Sequence, residues 1–366
     1  LILASNCSTN KKRSFWSKED SNVDKIETIK KILIKKVRKE QEFNPKLEIQ
    51  ISNKKLNKNF DNNQNNIGEL SYEGSLEKIG KYKFSKFNDF EYIDVKPIFY
   101  NENVIFADSK GTIIFYDQNQ KIVWKKNFYN KSERKLKPRL NLASYKNILI
   151  VTDDVAKYYA INLETGNMIW SKNNIVPFNS EIKIKNGFFY TVDYKNILRS
   201  ISIKDGSEIW NLKTDESLTK SNTKISIVIE NENIYFNNSI GDITAVNLES
   251  GQLVWQLPTQ SDNISKSAFQ LSNSKLVISE NSILFSNNKN EFYSIDTDTG
   301  LINWKNEINS VLRPTVIGKF LVTISDKGYL YIVDKKLGNI IRVSDLHQNY
   351  KIKKRKNIYT TGFFIA

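Results

Sequence analysis

Apolar and polar residues alternate along much of the chain in runs of four to six. Asn233-Ile234-Tyr235-Phe236-Asn237 and Asp242-Ile243-Thr244-Ala245-Val246-Asn247 have a period of two, which predicts strands. Between them Asn238-Ser239-Ile240-Gly241-Asp242 reads as a tight turn, with Gly241 free to take a positive φ. Glu249-Ser250-Gly251 then turns the chain, and Gln252-Leu253-Val254-Trp255 forms a third strand. The upstream run Lys224-Ile225-Ser226-Ile227-Val228-Ile229 supplies a fourth.

This unit recurs. Each copy carries one phrase: an apolar residue, then Asp, Asn or Ser, three residues, Gly, three residues, Trp. Ala160-Ile161-Asn162 to Gly166 to Trp170 and Ala245-Val246-Asn247 to Gly251 to Trp255 match it best. Ile201-Ser202 to Gly206 to Trp210 and Ile295-Asp296 to Gly300 to Trp304 repeat it. Val333-Asp334 to Gly338 keeps the spacing but ends in Arg342. Tyr116-Asp117 to Trp124 is one residue short, with Lys121 near the Gly position. A period of roughly 40–50 residues marks stacked supersecondary units. Four short antiparallel strands per period make one blade of an all-β propeller. A Trp near the end of an outer strand can lie against the neighbouring blade, with its N–H reaching a backbone carbonyl. Trp124, Trp170, Trp210, Trp255 and Trp304, with Gly166, Gly206, Gly251, Gly300 and Gly338, are therefore expected to dock blade on blade.

The rest of the chain reads differently. Ser21-Asn22-Val23-Asp24 forms a capping box, and Val23, Ile26, Leu33 and Val37 follow at helical spacing. An amphipathic helix over 23–41 is expected, on the propeller's side or on a membrane surface. Residues 42–68, rich in Asn and Lys with little to bury, read as a flexible linker. The propeller is expected over 69–366, with blades from about residue 93. Six full or nearly full blades reach residue 345, and 357–366 reads as the opening strands of another; eight blades are expected in the intact protein. Either Leu70-Ser71-Tyr72 or Tyr82-Lys83-Phe84 is expected to complete the last blade and close the ring.

The start of the chain adds a location. Leu1-Ile2-Leu3-Ala4-Ser5-Asn6 resembles the tail of a signal peptide arriving at Cys7, the only cysteine. The arrangement is similar to a bacterial lipobox, which implies lipid attachment at Cys7 and a tether over 7–22. Such a protein is anchored rather than spanning. Ser8 after the cysteine favours the periplasmic face of the outer membrane. The 366 residues carry a formal charge of +15, but lysines fall on turns and solvent-facing strand positions throughout. The densest run, Lys351 to Lys356, lies between blades, so nucleic acid is not an expected partner.

The repeat phrase resembles the tryptophan-docking repeat of the pyrroloquinoline-quinone propellers. With Cys7 and the short tether, the chain looks similar to the lipoproteins of the outer-membrane β-barrel assembly machinery, over about 70–366. The resemblance implies a non-catalytic scaffold that binds the periplasmic domains of the barrel-inserting subunit and helps deliver unfolded outer-membrane proteins. It also implies a contact through rim loops near the middle of the chain. The matching segments hold Leu218, Thr219 and Lys220 in one loop, and Asn273 and Lys275 in the next. Family members tend to be acidic in the second loop, so a partner surface of altered charge is expected.

Two alternatives share the architecture. One is a quinone-dependent dehydrogenase, because fold does not fix function. Its chemistry needs a calcium site, a catalytic Asp and often a disulfide of adjacent cysteines. Cys7 alone makes no such disulfide, and Asp153-Asp154, Asp296 and Asp298 read as turn residues. The lone His347 cannot build a zinc site or a relay with Ser. No cofactor and no metal are expected. The other alternative is a generic envelope adaptor with a different partner.

Overall fold

The computed structural model describes residues 63–66, 80–83, 96–216, 223–259, 271–355, 357–363 and 365. All belong to the unit Pro45–Ala366. Cys7, the expected helix over 23–41 and the loop residues Leu218, Thr219 and Lys220 lie outside the described residues.

Among the described residues, six four-stranded sheets follow one another, each ordered as its sequence runs. Blade 1 holds β1 (Ile98–Tyr100), β2 (Asn103–Ala107), β3 (Thr112–Tyr116) and β4 (Ile122–Asn127). Blade 2 holds β5 (Leu140–Tyr145), β6 (Ile148–Asp153), β7 (Lys157–Asn162) and β8 (Met168–Asn173). Blade 3 holds β9 (Lys183–Lys185), β10 (Phe188–Val192), β11 (Ile197–Ser202) and β12 (Glu208–Lys213). Blade 4 holds β13 (Ile227–Glu230), β14 (Asn233–Asn237), β15 (Ile243–Asn247) and β16 (Leu253–Leu257). Blade 5 holds β17 (Val277–Ser279), β18 (Ser282–Asn287), β19 (Glu291–Asp296) and β20 (Ile302–Asn306). Blade 6 holds β21 (Thr315–Ile317), β22 (Phe320–Ile324), β23 (Tyr329–Asp334) and β24 (Ile340–Asp345). A capped turn of helix, α1 (Lys131–Lys135), lies between blades 1 and 2, and α2 (Ile352–Arg355) follows blade 6. The first strands of successive blades touch, β1 with β5, β5 with β9, β9 with β13 and β13 with β17. They form the inner layer of a β-propeller. Lys224, just before β13, reaches Asn141 on β5 two blades away at 2.6 Å.

Blades stack face to face, so the core is a series of apolar layers between them. Ile113 and Phe115 of blade 1 pack with Leu149, Val151 and Tyr159 of blade 2. Val228, Ile243 and Ala245 of blade 4 meet Ile278, Ile283 and Phe285 of blade 5. A middle strand is therefore covered on both faces. In β15 the polar Thr244 is as buried as its apolar neighbours. The outermost strands keep one face toward solvent, as in β8 and β12.

The indoles stitch each layer. Trp124, Trp170, Trp210, Trp255 and Trp304 donate Nε1–H to the carbonyls of Leu163, Ile203, Leu248, Thr297 and Lys335, at 2.8 to 3.2 Å. Each acceptor lies in the β-turn of the following blade, right after the Asp, Asn or Ser of the phrase. The N–H of the same acceptor residue bonds back to the first hairpin of its own blade, as Leu163 does to Asn147. Each ring also covers the Gly of that next turn. A Cβ at Gly251 would lie 2.6 Å from Trp210, and one at Gly338 2.6 Å from Trp304. These glycines hold φ near +70, close the turn onto the Asp, Asn or Ser of the phrase as in Gly251 N–H to Asn247 O, and follow a bulge in the third strand. In the sixth copy Arg342 takes the Trp position and donates to Ser344.

Two stretches differ from the sequence expectation. Residues 80–83 hold no strand. Tyr82 instead packs against Phe106 and Tyr116 of blade 1, and Tyr116 donates its hydroxyl to Lys83 O. Residues 357–363 are not a strand either, because no strand runs beside them among the described residues; Phe363 and Ile365 cover the apolar face of blade 6.

Gly251→Ala should therefore lower the unfolding free energy obtained from urea titration by about 2–3 kcal/mol, through the strained φ and the clash with the indole. Gly187→Ala is the control. It shares a positive φ of 81 but meets nothing within 4 Å, so only the conformational part, about 1–2 kcal/mol, is expected. Equal losses at the two sites would show that the indole contact contributes little.

Candidate functional site

Antiparallel strands give the blades two rims. The fourth strand of each blade ends where its second-to-third turn lies, and the next blade starts there. All blade-to-blade connections therefore share one rim with these turns. Hydrogen bonds tie them together: Asn174 N–H to Ala156 O, Thr214 N–H to Asn196 O, Asn288 N–H to Ser272 O and Asp326 N–H to Asn309 O. Asn196 also bonds Asp215 O and receives Ser239 N–H from the next blade.

The turns on this rim are fixed by a second recurring device. The last residue of the second strand, or the one after it, accepts from backbone N–H groups two and four positions on. Asp108, Asp153, Asp193 and Asn238 all do so. Over this scaffold the connections expose apolar side chains. Ile175, between blades 2 and 3, is 94 % exposed, and Leu136, between blades 1 and 2, is 66 % exposed. Ile175 thus stands nearly bare on a loop whose flanking backbone is hydrogen-bonded to neighbouring turns. Sequence reasoning missed both residues. For Leu136 the available signal was a branched residue isolated among polar ones, in Arg134-Lys135-Leu136-Lys137; Ile175 opens the apolar run Ile175-Val176-Pro177-Phe178 and gave no such signal.

Of the residues singled out from the sequence, Asn273 and Lys275 sit on this rim, before β17. Asn273 bridges to Asn287 and is half-buried. Lys275 turns inward and pairs with Glu181 at 2.7 Å, so its ammonium is committed to blade 3. Leu218, Thr219 and Lys220 fall between the described Glu216 and Thr223.

Below the rim, the inner edges of the first strands pose a problem of their own. A propeller's first strand pairs on one side only, and its other edge exposes N–H and C=O groups toward the axis. Residues 63–66, inside the stretch expected to be a flexible linker, lie against three of these edges. Asn63 O accepts Ile229 N–H at 2.7 Å, and Gln64 O accepts Ile278 N–H at 3.0 Å. Asn63 Nδ2 donates to Ile184 O, and Asn66 Nδ2 to Ile278 O. Asn65 is fully buried. Its Oδ1 accepts Lys183 Nζ at 2.6 Å. Its Nδ2 faces Leu276 O, Glu181 Oε1, Ser226 Oγ and Ile227 O at 3.0 to 3.4 Å. Absence of apolar side chains does not make this stretch a linker, because carboxamides carry both a donor and an acceptor and suit bare strand edges.

Around Asn65 the charges interlock. Glu181 lies between Lys183, itself buried, and Lys275. Burial alone would raise the Glu181 carboxyl, but the Lys183, Lys275 and Lys96 ammonium groups outweigh it and hold the carboxyl far below the usual range.

Asp153 and His347 are sealed away. Burial pushes the Asp153 carboxyl up, but Asp153 lies fully covered between blades 1 and 2, under the Tyr129 hydroxyl. His347 is packed under Gly328. A cleft of about 410 Å³ between blades 3 and 4 is lined by Phe188, Tyr190, Trp210, Leu248 and Glu249, among others, with no cluster of acids and bases. Among the described residues no three His, Cys, Asp or Glu side chains gather where they could hold a metal ion.

Comparison with known proteins gives a consistent picture. A family model described as "Outer membrane protein assembly factor BamB" matches residues 109–344. Proteins of that name are similar to this chain. The one from Legionella pneumophila (strain Paris) is 22% identical over 174 residues, covering 44% of this chain and 42% of the relative. The one from Yersinia pestis is 22% identical over 253 residues, covering 67% and 62%. The chain thus spans about half the length of the curated relatives it matches. The crystal structure of BamB from Moraxella catarrhalis superposes with a TM-score of 0.56 at 12% identity, covering 69% of this chain and 75% of that one, and shares the fold.

Glu181 should make the propeller acid-sensitive. A carboxyl held low by its partners contributes stability that is complete above its unfolded pKa, about 4.3, and is lost as pH falls below it. Glu181→Gln should lower the thermal midpoint at pH 7, and the gap to the native protein should narrow toward pH 3. A gap unchanged across that range would remove Glu181 from the account.

Proposed function

The chain belongs to the family of the outer membrane protein assembly factor BamB, and on that footing we propose that it is a non-catalytic scaffold of the outer-membrane β-barrel assembly machinery. It holds the periplasmic domains of the barrel-inserting subunit on its connection rim, and the assembled pair receives unfolded outer-membrane proteins. Lipid at Cys7 keeps it on the periplasmic face of the outer membrane.

The observation that supports the rim as the contact is Ile175, 94 % exposed on a connection pinned at both ends. Asn174 N–H bonds Ala156 O before it, and Pro177 O accepts Tyr194 N–H after it. An apolar side chain held out by a rigid loop loses little entropy on docking, which suits an anchor at an interface. Leu136, exposed on the preceding connection, adds an apolar side chain to the same rim, and Leu218, Thr219 and Lys220 belong to the next connection in the chain. Asn273 and Lys275 serve this surface from below, by holding the loop before β17 to its blade and to Glu181. The scaffold reading over the dehydrogenase reading draws on Asp153, which no substrate can reach between its blades, and on the single cysteine.

Full-length protein bearing Ile175→Asp should recover the barrel-inserting subunit from detergent-solubilised envelopes at least tenfold less well than the native protein, roughly 1.4 kcal/mol or more. Its thermal midpoint should stay unchanged, since the residue is exposed. Undiminished recovery would move the contact elsewhere, and recovery of other envelope proteins alone would make the chain a general adaptor. Cys7→Ser in a full-length protein with its leader should release it from the membrane fraction; retention would remove the lipid anchor.

A further inference from the structure

The inner edges of blades 3, 4 and 5 make more than a packing surface. We propose that they form a peptide site that reads an asparagine carboxamide, and that residues 63–66 are its internal ligand.

The site is built from groups that the blades cannot satisfy among themselves. In β13 the closing pair Glu230 and Asn233 fixes which residues bond to β14, so Ile227 and Ile229 turn their backbone groups to the axis. In β17 the pair Ser279 and Ser282 does the same for Ile278, and in β9 Lys185 and Phe188 do so for Ile184. The four-residue segment meets these groups in turn. Its main chain takes the N–H groups of Ile229 and Ile278, and its side chains take the carbonyls of Ile184, Ile227, Leu276 and Ile278. This is strand-edge recognition, in which main-chain bonds give affinity and a pocket gives selectivity.

The pocket belongs to Asn65, and its polarity is asymmetric. One end offers the ammonium of Lys183, a donor with no acceptor capacity. The other end offers acceptors: Leu276 O, Ile227 O and the Glu181 carboxylate, with Ser226 Oγ beside them. Only a group with an acceptor on one side and an N–H donor on the other meets both ends. A carboxamide does. An isosteric Asp turns a carboxylate oxygen toward Glu181 and two carbonyls. Asn65 also holds φ at +53, a left-handed conformation that Asn tolerates better than most residues. The ligand class is therefore an uncharged peptide turn with Asn in the left-handed position. While the chain's own segment is seated, this part of the axis is closed to any other peptide. The site does not depend on which partner the rim carries.

Three full-length proteins test this: native, Asn65→Asp, and a fourfold variant with Asn63→Gly, Gln64→Ser, Asn65→Gly and Asn66→Ser. Hydrogen exchange should show the Ile229 and Ile278 amides protected in the native protein and exchanging at least tenfold faster in the fourfold variant. The Leu284 amide, within β18, should not change. By calorimetry the fourfold variant should bind the synthetic peptide Asn-Asn-Gln-Asn-Asn-Ile, and the native protein should not. The same peptide with Asp at its fourth position should bind at least tenfold more weakly, and Asn65→Asp should speed exchange at both amides. A folded fourfold variant that keeps both amides protected, ignores the peptide, or takes the Asp peptide equally well would overturn the proposal. If that variant does not fold, the native protein alone decides: unprotected Ile229 and Ile278 amides would end the case.

Discussion

Everything in this propeller depends on an indole lying over a glycine of the next blade. A single four-stranded sheet has two apolar faces and cannot bury either alone. Stacking covers both, but apolar faces slide on one another unless something fixes their offset. The Trp does this with two different forces. Its ring removes a large apolar area from water, and its N–H is a directional donor to one carbonyl. The glycine sets the distance, because any side chain there would occupy the ring's place. The accepting residue is itself tied by its N–H to the first hairpin of its blade, so the indole grips a turn that cannot yield.

The same geometry leaves two surfaces unfinished. The inner strand edges face the axis with backbone groups no strand pairs, and on blades 3, 4 and 5 the chain uses the main-chain carbonyls and amide side chains of residues 63–66 in place of another strand. Glu181, Lys183 and Lys275 add charge to that arrangement, and each charge has a partner within the cluster. At the connection rim the opposite holds. Connections that rest on turns pinned by Asp and Asn side chains carry Leu136 and Ile175 into solvent, where the fold gives them nothing to cover. One unfinished surface is satisfied from within, and the other is offered outward.

Much of this architecture could be read from residue order. Period-two runs and a Trp every few tens of residues were enough to find the four-stranded units, since strand alternation and repeat length are local properties. What the phrase does not reveal is that its Gly and its Trp serve different contacts: Gly166 receives Trp124, while Trp170 reaches forward to Gly206. Alternation also misleads in the middle strands, where Thr244 is as hidden as Val246 because both faces are covered. The turn device of Asp108, Asp153, Asp193 and Asn238 escaped because Asp and Asn exchange freely there and the intervening residues vary. Residues 63–66 escaped for a deeper reason. Composition measures how much apolar surface a segment can bury, and this segment is held by hydrogen bonds whose partners lie more than a hundred residues away. Lys275 looked like a loop cation for the same reason, since Glu181 is 94 residues distant.

Site-specific photo-crosslinking in living cells tests the scaffold claim most directly. A photoreactive side chain at position 175, on the connection rim, is expected to capture the barrel-inserting subunit. The same group at position 301, exposed in a turn between the third and fourth strands on the opposite rim, is expected to capture none. Capture from 301 and not from 175, or from neither, would contradict the account.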